Sequence, residues 1–221
     1  MTVATSSRKL RAQAASGFGP TAAAPSGAWP GAKQKFALFG EVLLTGIIVV
    51  VLSIPIVTIP LAVAVGQRHL TRFLRAEGSQ LSLVAGDVRE GFIGGVGIGC
   101  AWLAATGVLL MDLLLVASGA LPGGIAVGAL ATVLLAALTV LTLWVAAAWT
   151  PVLGWRAAVR LGFASLRTDA VGSAYLLVGA ALVVLFTWML PPLIIPALGC
   201  VCFAVAAISA RHAARSAARR S

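Results

Sequence analysis

The sequence predicts an all-α, polytopic membrane bundle of about five transmembrane helices and two amphipathic interfacial helices. Three observations carry that prediction. First, 60% of the 221 residues are hydrophobic and only 10% are charged. With the glycines added, roughly 70% of the chain is apolar, against about 45–50% in soluble domains, so its polar residues cannot cover the surface in water. Second, the apolar residues gather into runs long enough to cross a hydrocarbon layer of about 30 Å. Third, the runs are separated by arginine-bearing segments, and 16 Lys and Arg against 6 Asp and Glu give a net charge of +10. Such a surplus on a soluble protein would indicate nucleic acid. Between apolar runs it fits anionic lipid headgroups, so a nucleic-acid partner is not expected.

The organisation follows from charge and proline. Residues 1–35 are rich in Ala, Ser, Gly and Pro, carry only Arg8, Lys9, Arg11, Lys33 and Lys35 as charges, and contain no apolar core of signal-peptide length. They read as a disordered basic tail, with Trp29 as the first aromatic of headgroup-boundary type. Residues 36–210 form the transmembrane domain, and 211–221 a basic cytoplasmic tail. The first apolar segment, from Phe36 towards Arg68, contains Ser53-Ile54-Pro55-Ile56-Val57-Thr58-Ile59-Pro60. Pro55 and Pro60 remove two backbone donors, which predicts a kink or break near Leu52. In lipid the freed carbonyls need partners, and Ser53 and Thr58 are the local candidates.

Residues 66–90 hold too many charges for a span. On a helical projection Arg68, Arg72 and Arg75 fall within an arc of about 60°, opposite Leu70, Phe73 and Leu74, which predicts an amphipathic interfacial helix ending at Gly78 and Ser79. The second span is expected at 92–117 and a tight turn at 119–124. The third span runs from 125 to 149 and leaves at Thr150-Pro151. A second basic helix, 152–168, places Arg156, Arg160 and Arg167 within about 40°, away from Ala158, Gly162 and Ser165. The fourth span is 171–189, Pro191-Pro192 makes a turn, and the fifth span is 193–209. An arginine-bearing helix therefore precedes a helical hairpin twice, and placing Arg89 on Arg167 also places Gly94 on Gly172.

Arginine distribution suggests an orientation. Four basic residues (68, 72, 75, 89) lie in the first loop, three (156, 160, 167) in the second and four (211, 215, 219, 220) in the C-terminal tail, while both hairpin turns have none. With five spans these eleven share the cytoplasmic side, and the N-terminal tail lies outside. The alternative is a re-entrant first segment that turns at Pro55 to Pro60 and keeps all sixteen basic residues on one side.

Few motifs carry chemistry. Gly91, Gly95 and Gly99 form two overlapping G-x-x-x-G units, whose bare face admits a second helix backbone from within the chain or from another copy in a homo-oligomer. The same string lacks the G-K-[ST] of a phosphate loop. Glu41 and Asp112 are the acids within the apolar spans. Interfacial hydration, a buried structural role and proton or cation coupling are their alternative readings. Thr132, Thr139 and Thr142 suit bonds to their own helix carbonyls. Cys100, Cys200 and Cys202 read as buried small hydrophobes, and His69 and His212, each near arginine, as solvated or headgroup-facing groups. No nucleophile–base set and no metal pattern can be assembled, so an enzyme, a metal and a cofactor are not expected.

The Pro-broken stretch 52–60, followed by Ala62, Ala64, Arg68 and Arg72-Phe73-Leu74-Arg75, resembles the opening of the YesL-like family of bacterial integral membrane proteins. The resemblance continues through Asp87-Val88-Arg89-Glu90-Gly91-Phe92 and, more loosely, through Arg160 to Arg167. It implies association with carbohydrate uptake in a bacterial plasma membrane, and it supplies no catalytic or ligand residues. The expectation is a non-enzymatic accessory or scaffold whose partners are the bilayer's anionic headgroups and sugar transporter subunits. The alternative is a small-solute or sugar transporter in its own right, suggested by the hairpin repeat, the broken helix, Glu41 and Asp112.

Overall fold

The computed structural model describes residues 30–77, 80–119 and 123–218, with side chains from Phe36 onward except Ser216 and Ala217. Most of the expected tail 1–35 including Trp29, the expected helix end at Gly78 and Ser79, Leu121-Pro122 and the arginines at 219 and 220 lie outside the described residues. Among the described residues there is no strand. The elements are α1 (Pro30–Leu52), a 3-10 turn (Ile56–Thr58), α2 (Ile59–Leu74), α3 (Leu81–Ala117), α4 (Gly124–Ala148), α5 (Gly154–Thr168), α6 (Ala170–Met189), a second 3-10 turn (Pro191–Leu193) and α7 (Ile194–Ala218). α1 thus begins inside the stretch expected as tail, and α7 carries Arg211 and Arg215 on its last turns.

Four helical stretches, in α3, α4, α6 and the segment Pro191–Arg215, are long and apolar enough to cross a membrane, and Phe36–Leu52 is a shorter apolar helix. α2 and α5 are the two amphipathic helices. Large apolar side chains point outward around the bundle, as Ile93 (88% exposed), Ile125 (91%) and Trp188 (87%) illustrate. That is the expected surface of a protein whose surroundings are lipid rather than water.

The first segment breaks where its prolines require. α1 ends at Leu52, and the Thr58 hydroxyl shares its hydrogen between Leu52 O (2.5 Å) and Pro55 O (2.6 Å), two carbonyls left at the break in the helix. Pro60 then sits in the first turn of α2, the one helical position that tolerates it. The chain does not continue outward from this break. α2 runs back along α1, so that Gly66 faces Thr45 and Val49 and His69 faces Glu41. The turn meets α3 at its midpoint, where Gly99 faces the Val57 carbonyl. This is the re-entrant arrangement, and it corrects the topology that put the N-terminal tail and the C-terminus on opposite sides. The start of α1 and the later part of α7 now lie at one end.

α2 is also not an interfacial helix. Its residues Pro60 to Leu70, Arg68 excepted, are buried, packed between α1, α3, α4 and α7. The small residues Ala62, Ala64 and Gly66 allow that close approach, and only the last turns, with Arg72 and Arg75, emerge. α5 fits the amphipathic expectation better: Trp155, Ala158 and Gly162 are buried, while Arg156, Arg160 and Arg167 are exposed.

Hairpin turns close the remaining helices. Gly123 has φ +78°, a left-handed conformation that favours glycine, immediately before α4. Asp169 caps α6 by accepting from the Gly172 N–H (2.8 Å). Thr132, Thr139 and Thr142 bond the carbonyls of Gly128, Leu135 and Leu138 one turn back, so none of these hydroxyls is free to line a pore as a donor.

Glycines set the helix crossings. On α3, Gly91 faces Trp149 and Leu61, Gly95 faces Leu61 and Trp155, and Gly99 faces main chain at Val57. A crossing the motif search missed joins α1 to α7, where Gly46 abuts the Ile195 carbonyl and Gly199 the Val42 carbonyl. Added methyl groups there would meet backbone, which cannot yield as a side chain can. Gly46→Ala, Gly99→Ala and Gly199→Ala should therefore each lose about 1–3 kcal/mol through overpacking. Gly97 and Gly107 face open space, and alanine there should be neutral or gain up to about 1 kcal/mol from helix propensity. Thermal unfolding of the purified protein in detergent ranks the five variants, and equal behaviour of the two groups would refute these crossings.

Candidate functional site

The re-entrant helix brings a set of polar side chains together at the basic end of the bundle. Asp87, on the second turn of α3, is 5% exposed. Arg72 Nη2 donates to its Oδ1 (2.8 Å) and lies 2.6 Å from Oδ2, while Arg68 Nε lies 3.3 Å from Oδ1. A lone carboxylate could not be buried there, because desolvation costs several kcal/mol unless a countercharge is fixed beside it. Two guanidiniums one turn apart supply that charge. Arg68 is further held over the Trp149 ring, 5.6 Å from its centroid. Trp149 stacks on Trp155 at 5.0 Å and 26°, and Trp155 Nε1 donates to Gly91 O (3.0 Å). One chain of contacts thus ties α2 to α3, α4 and α5.

A second set lies on the other face of α2. His69, 1% exposed, places Nε2 2.8 Å from Glu41 Oε1. Gln67 is also buried, and its amide nitrogen donates to Cys202 O (2.8 Å) while its oxygen accepts from the Ala206 N–H (2.9 Å). Those two main-chain groups are i and i+4 on α7, so the side chain clasps the helix at one rung of its ladder.

At the start of α6, His212 Nδ1 lies 3.5 Å from Asp169 Oδ2 and its ring meets Trp144 edge-on at 5.6 Å. Trp144 Nε1 donates to Ser173 Oγ (3.1 Å), and Arg211 lies over the Tyr175 ring. Each histidine therefore pairs with an acid of another helix; His69 is buried, which corrects its expected solvated or headgroup-facing position, whereas His212 stays partly exposed.

Among the remaining residues singled out from sequence, Arg75 is exposed and only 4.0 Å from Glu77, and Asp112 lies near the far end of α3. Glu41 and Asp112 are consequently not brought together, and Glu41 sits at the arginine end rather than the opposite one. Pro55 is exposed at the turn and Pro60 is buried. Cys202 is buried, whereas Cys100 and Cys200 face outward, correcting their expected burial. No group of three His, Cys, Asp or Glu suited to a metal occurs among the described residues.

A cavity of about 240 Å³ opens beside this cluster, lined by Gln67, Arg68, Thr71, Arg72, Arg75, Glu77, Ala147, Trp149 and Thr150. Gln67, Trp149 and Trp155 were the contributors that sequence reasoning passed over, while His69 was read as solvated and Asp87 only as part of the resemblance. The available signal was the polar pair Gln67 and His69 directly after the apolar run 59–66 of the same helix.

Fold and site together define an all-α membrane bundle with four helices able to span and a short re-entrant-type hairpin closing on a charged, tryptophan-backed cluster. No family model, curated protein or solved structure matches the chain.

The pairing has an energetic consequence. Asp87→Asn leaves two partly buried guanidiniums without their shared counter-ion and should cost about 3 kcal/mol. Arg75→Gln, on an exposed side chain, should stay within about 0.5 kcal/mol. Unfolding temperatures of the two variants in one detergent test the contrast, and an undisturbed Asp87→Asn protein would remove the cluster's structural role.

Proposed function

We propose that this chain is a non-enzymatic accessory or scaffold protein of a bacterial plasma membrane, with the start of α1 and the end of α7 both on the cytoplasmic side. The observation that carries the reading is the gathering of arginines from α2, α3, α5 and α7 at one end of the bundle. The positive-inside bias turns that end to the cytoplasm. The arginines of α2 are locked to Asp87, while those of α5 stay exposed to meet headgroups or a partner. A built, rigid surface of this kind suits docking better than a moving gate.

The separation of Glu41 from Asp112 favours the same reading over a transporter that couples through both acids. Glu41 is engaged by His69, and Asp112 stands on the far half of α3. A link to saccharide uptake rests on the resemblance of the 52–60 stretch and its continuation alone. Deletion of the gene should reduce growth on, or uptake of, at least one sugar in an oligosaccharide panel. Unchanged uptake of every sugar would remove that link while leaving the membrane assignment standing.

Orientation has its own test. In a background lacking the three native cysteines, single cysteines at Ala32, Ala76 and Thr168 should be shielded from a membrane-impermeant thiol reagent in intact cells. A cysteine at Ser118, in the α3–α4 turn, should react. Labelling at Ala32 with protection at Ala76 would restore a fully crossing first segment.

A further inference from the structure

We propose that the cavity beside the end of α2 is a binding site for a phosphate-type oxyanion, carried either by the headgroup of an anionic lipid or by a free phosphate. Its volume, about 240 Å³, is enough for a compact charged group and lies below the roughly 300–1,000 Å³ of pockets that enclose drug-sized ligands.

The charge balance of the walls favours an anion. Three guanidiniums, of Arg68, Arg72 and Arg75, face two carboxylates, of Asp87 and Glu77, which leaves one positive charge in surplus. Asp87 is buried behind the arginines. Glu77 contributes little, because it and Arg75 are both exposed and 4.0 Å apart.

The donors are also held in advance. Arg72 Nη2 donates to Asp87 Oδ1 and lies 2.6 Å from Oδ2, and its Nη1 is buried without a hydrogen-bond acceptor. A buried donor left so carries a desolvation penalty that an oxyanion accepting from it would remove. Arg68 is fixed between Asp87 and the face of Trp149, so its planar fork loses little freedom on binding. Thr150 Oγ accepts from the Leu153 N–H (3.2 Å), leaving its own hydrogen to donate. Gln67 adds nothing here, since its amide is committed to α7. Tryptophan at the end of a spanning helix is, in addition, the residue that marks headgroup depth.

The inference needs only this geometry and no role in sugar uptake. Its test uses the purified full chain. Thermal unfolding is followed in neutral detergent against inorganic phosphate, with chloride at equal ionic strength as control. A parallel series uses phosphatidylcholine nanodiscs with increasing phosphatidylglycerol. Saturable stabilisation by phosphate in micelles identifies a soluble ligand, and saturation by phosphatidylglycerol alone identifies a lipid headgroup. In either arm Arg72→Lys and Arg75→Gln should each raise the half-saturating concentration about tenfold, since each loses a charge-assisted bond. Should Arg72→Lys not fold, Arg75→Gln carries the test, because it leaves both partners of Asp87 in place. No saturable stabilisation by either probe, or saturation unchanged in the variants, would overturn the proposal.

Discussion

A backbone that leaves its helix inside a membrane protein must find new partners for its polar groups, and the turn between α1 and α2 is built around that constraint. Pro55 and Pro60 strongly disfavour a continuous helix, and the Thr58 hydroxyl lies against two of the carbonyls left at the break. Once the turn is closed, α2 has one course open to it, back along α1 through the centre of the bundle. Everything polar on α2 is then carried inward. Gln67, Arg68, His69 and Arg72 all lie on the half of the helix that returns to the basic end, where Gln67 meets α7, His69 meets Glu41 on α1, and Arg68 and Arg72 share Asp87 on α3.

That placement explains why such costly groups are there. Hydrophobic burial drives helices together weakly when the surroundings are themselves apolar, so close backbone contact and internal polar bonds must define which helices meet. The α1–α7 crossing uses the first device, with Gly46 and Gly199 bringing main chain against main chain. The α2–α3 and α2–α7 contacts use the second, through Asp87 and through the Gln67 clasp. Removing one member of such a pair costs more than the pair contributes, which makes the cluster a device for specificity more than for stability. The same fixed guanidiniums, with a cavity at their side, can then serve an anion without further ordering.

Much of the architecture was legible because it depends on local rules. Apolar length gave the spanning helices, proline placed the break at Leu52, and projected arginines marked the two amphipathic helices. What the rules could not give was direction after the break. A charged helix following an apolar run looks the same whether it lies on the headgroups or returns through the core, and the difference rests on Gly46, Gly66 and Gly199, whose partners are 17 to 157 residues away. The inward pairing of Asp87 and His69 was missed for a related reason. Beside arginines in sequence each reads as part of a solvated charged loop, and only the fold turns the pairing inward.

The hairpin is the claim on which the rest stands, and one distance decides it. Spin labels at Ala37 on α1 and Leu74 on α2 lie on opposite arms, close to the Glu41–His69 pair. Two packed antiparallel helices have axes about 8–10 Å apart, so with label arms included the distribution should centre below about 30 Å. If the segment instead ran on as one continuous helix, 37 residues at 1.5 Å each would separate the labels by about 55 Å. A dominant population below 30 Å, measured by double electron–electron resonance in a bilayer, is the expected result. One near 50 Å would contradict the hairpin, and with it the buried position of α2 and the cluster assembled around Asp87.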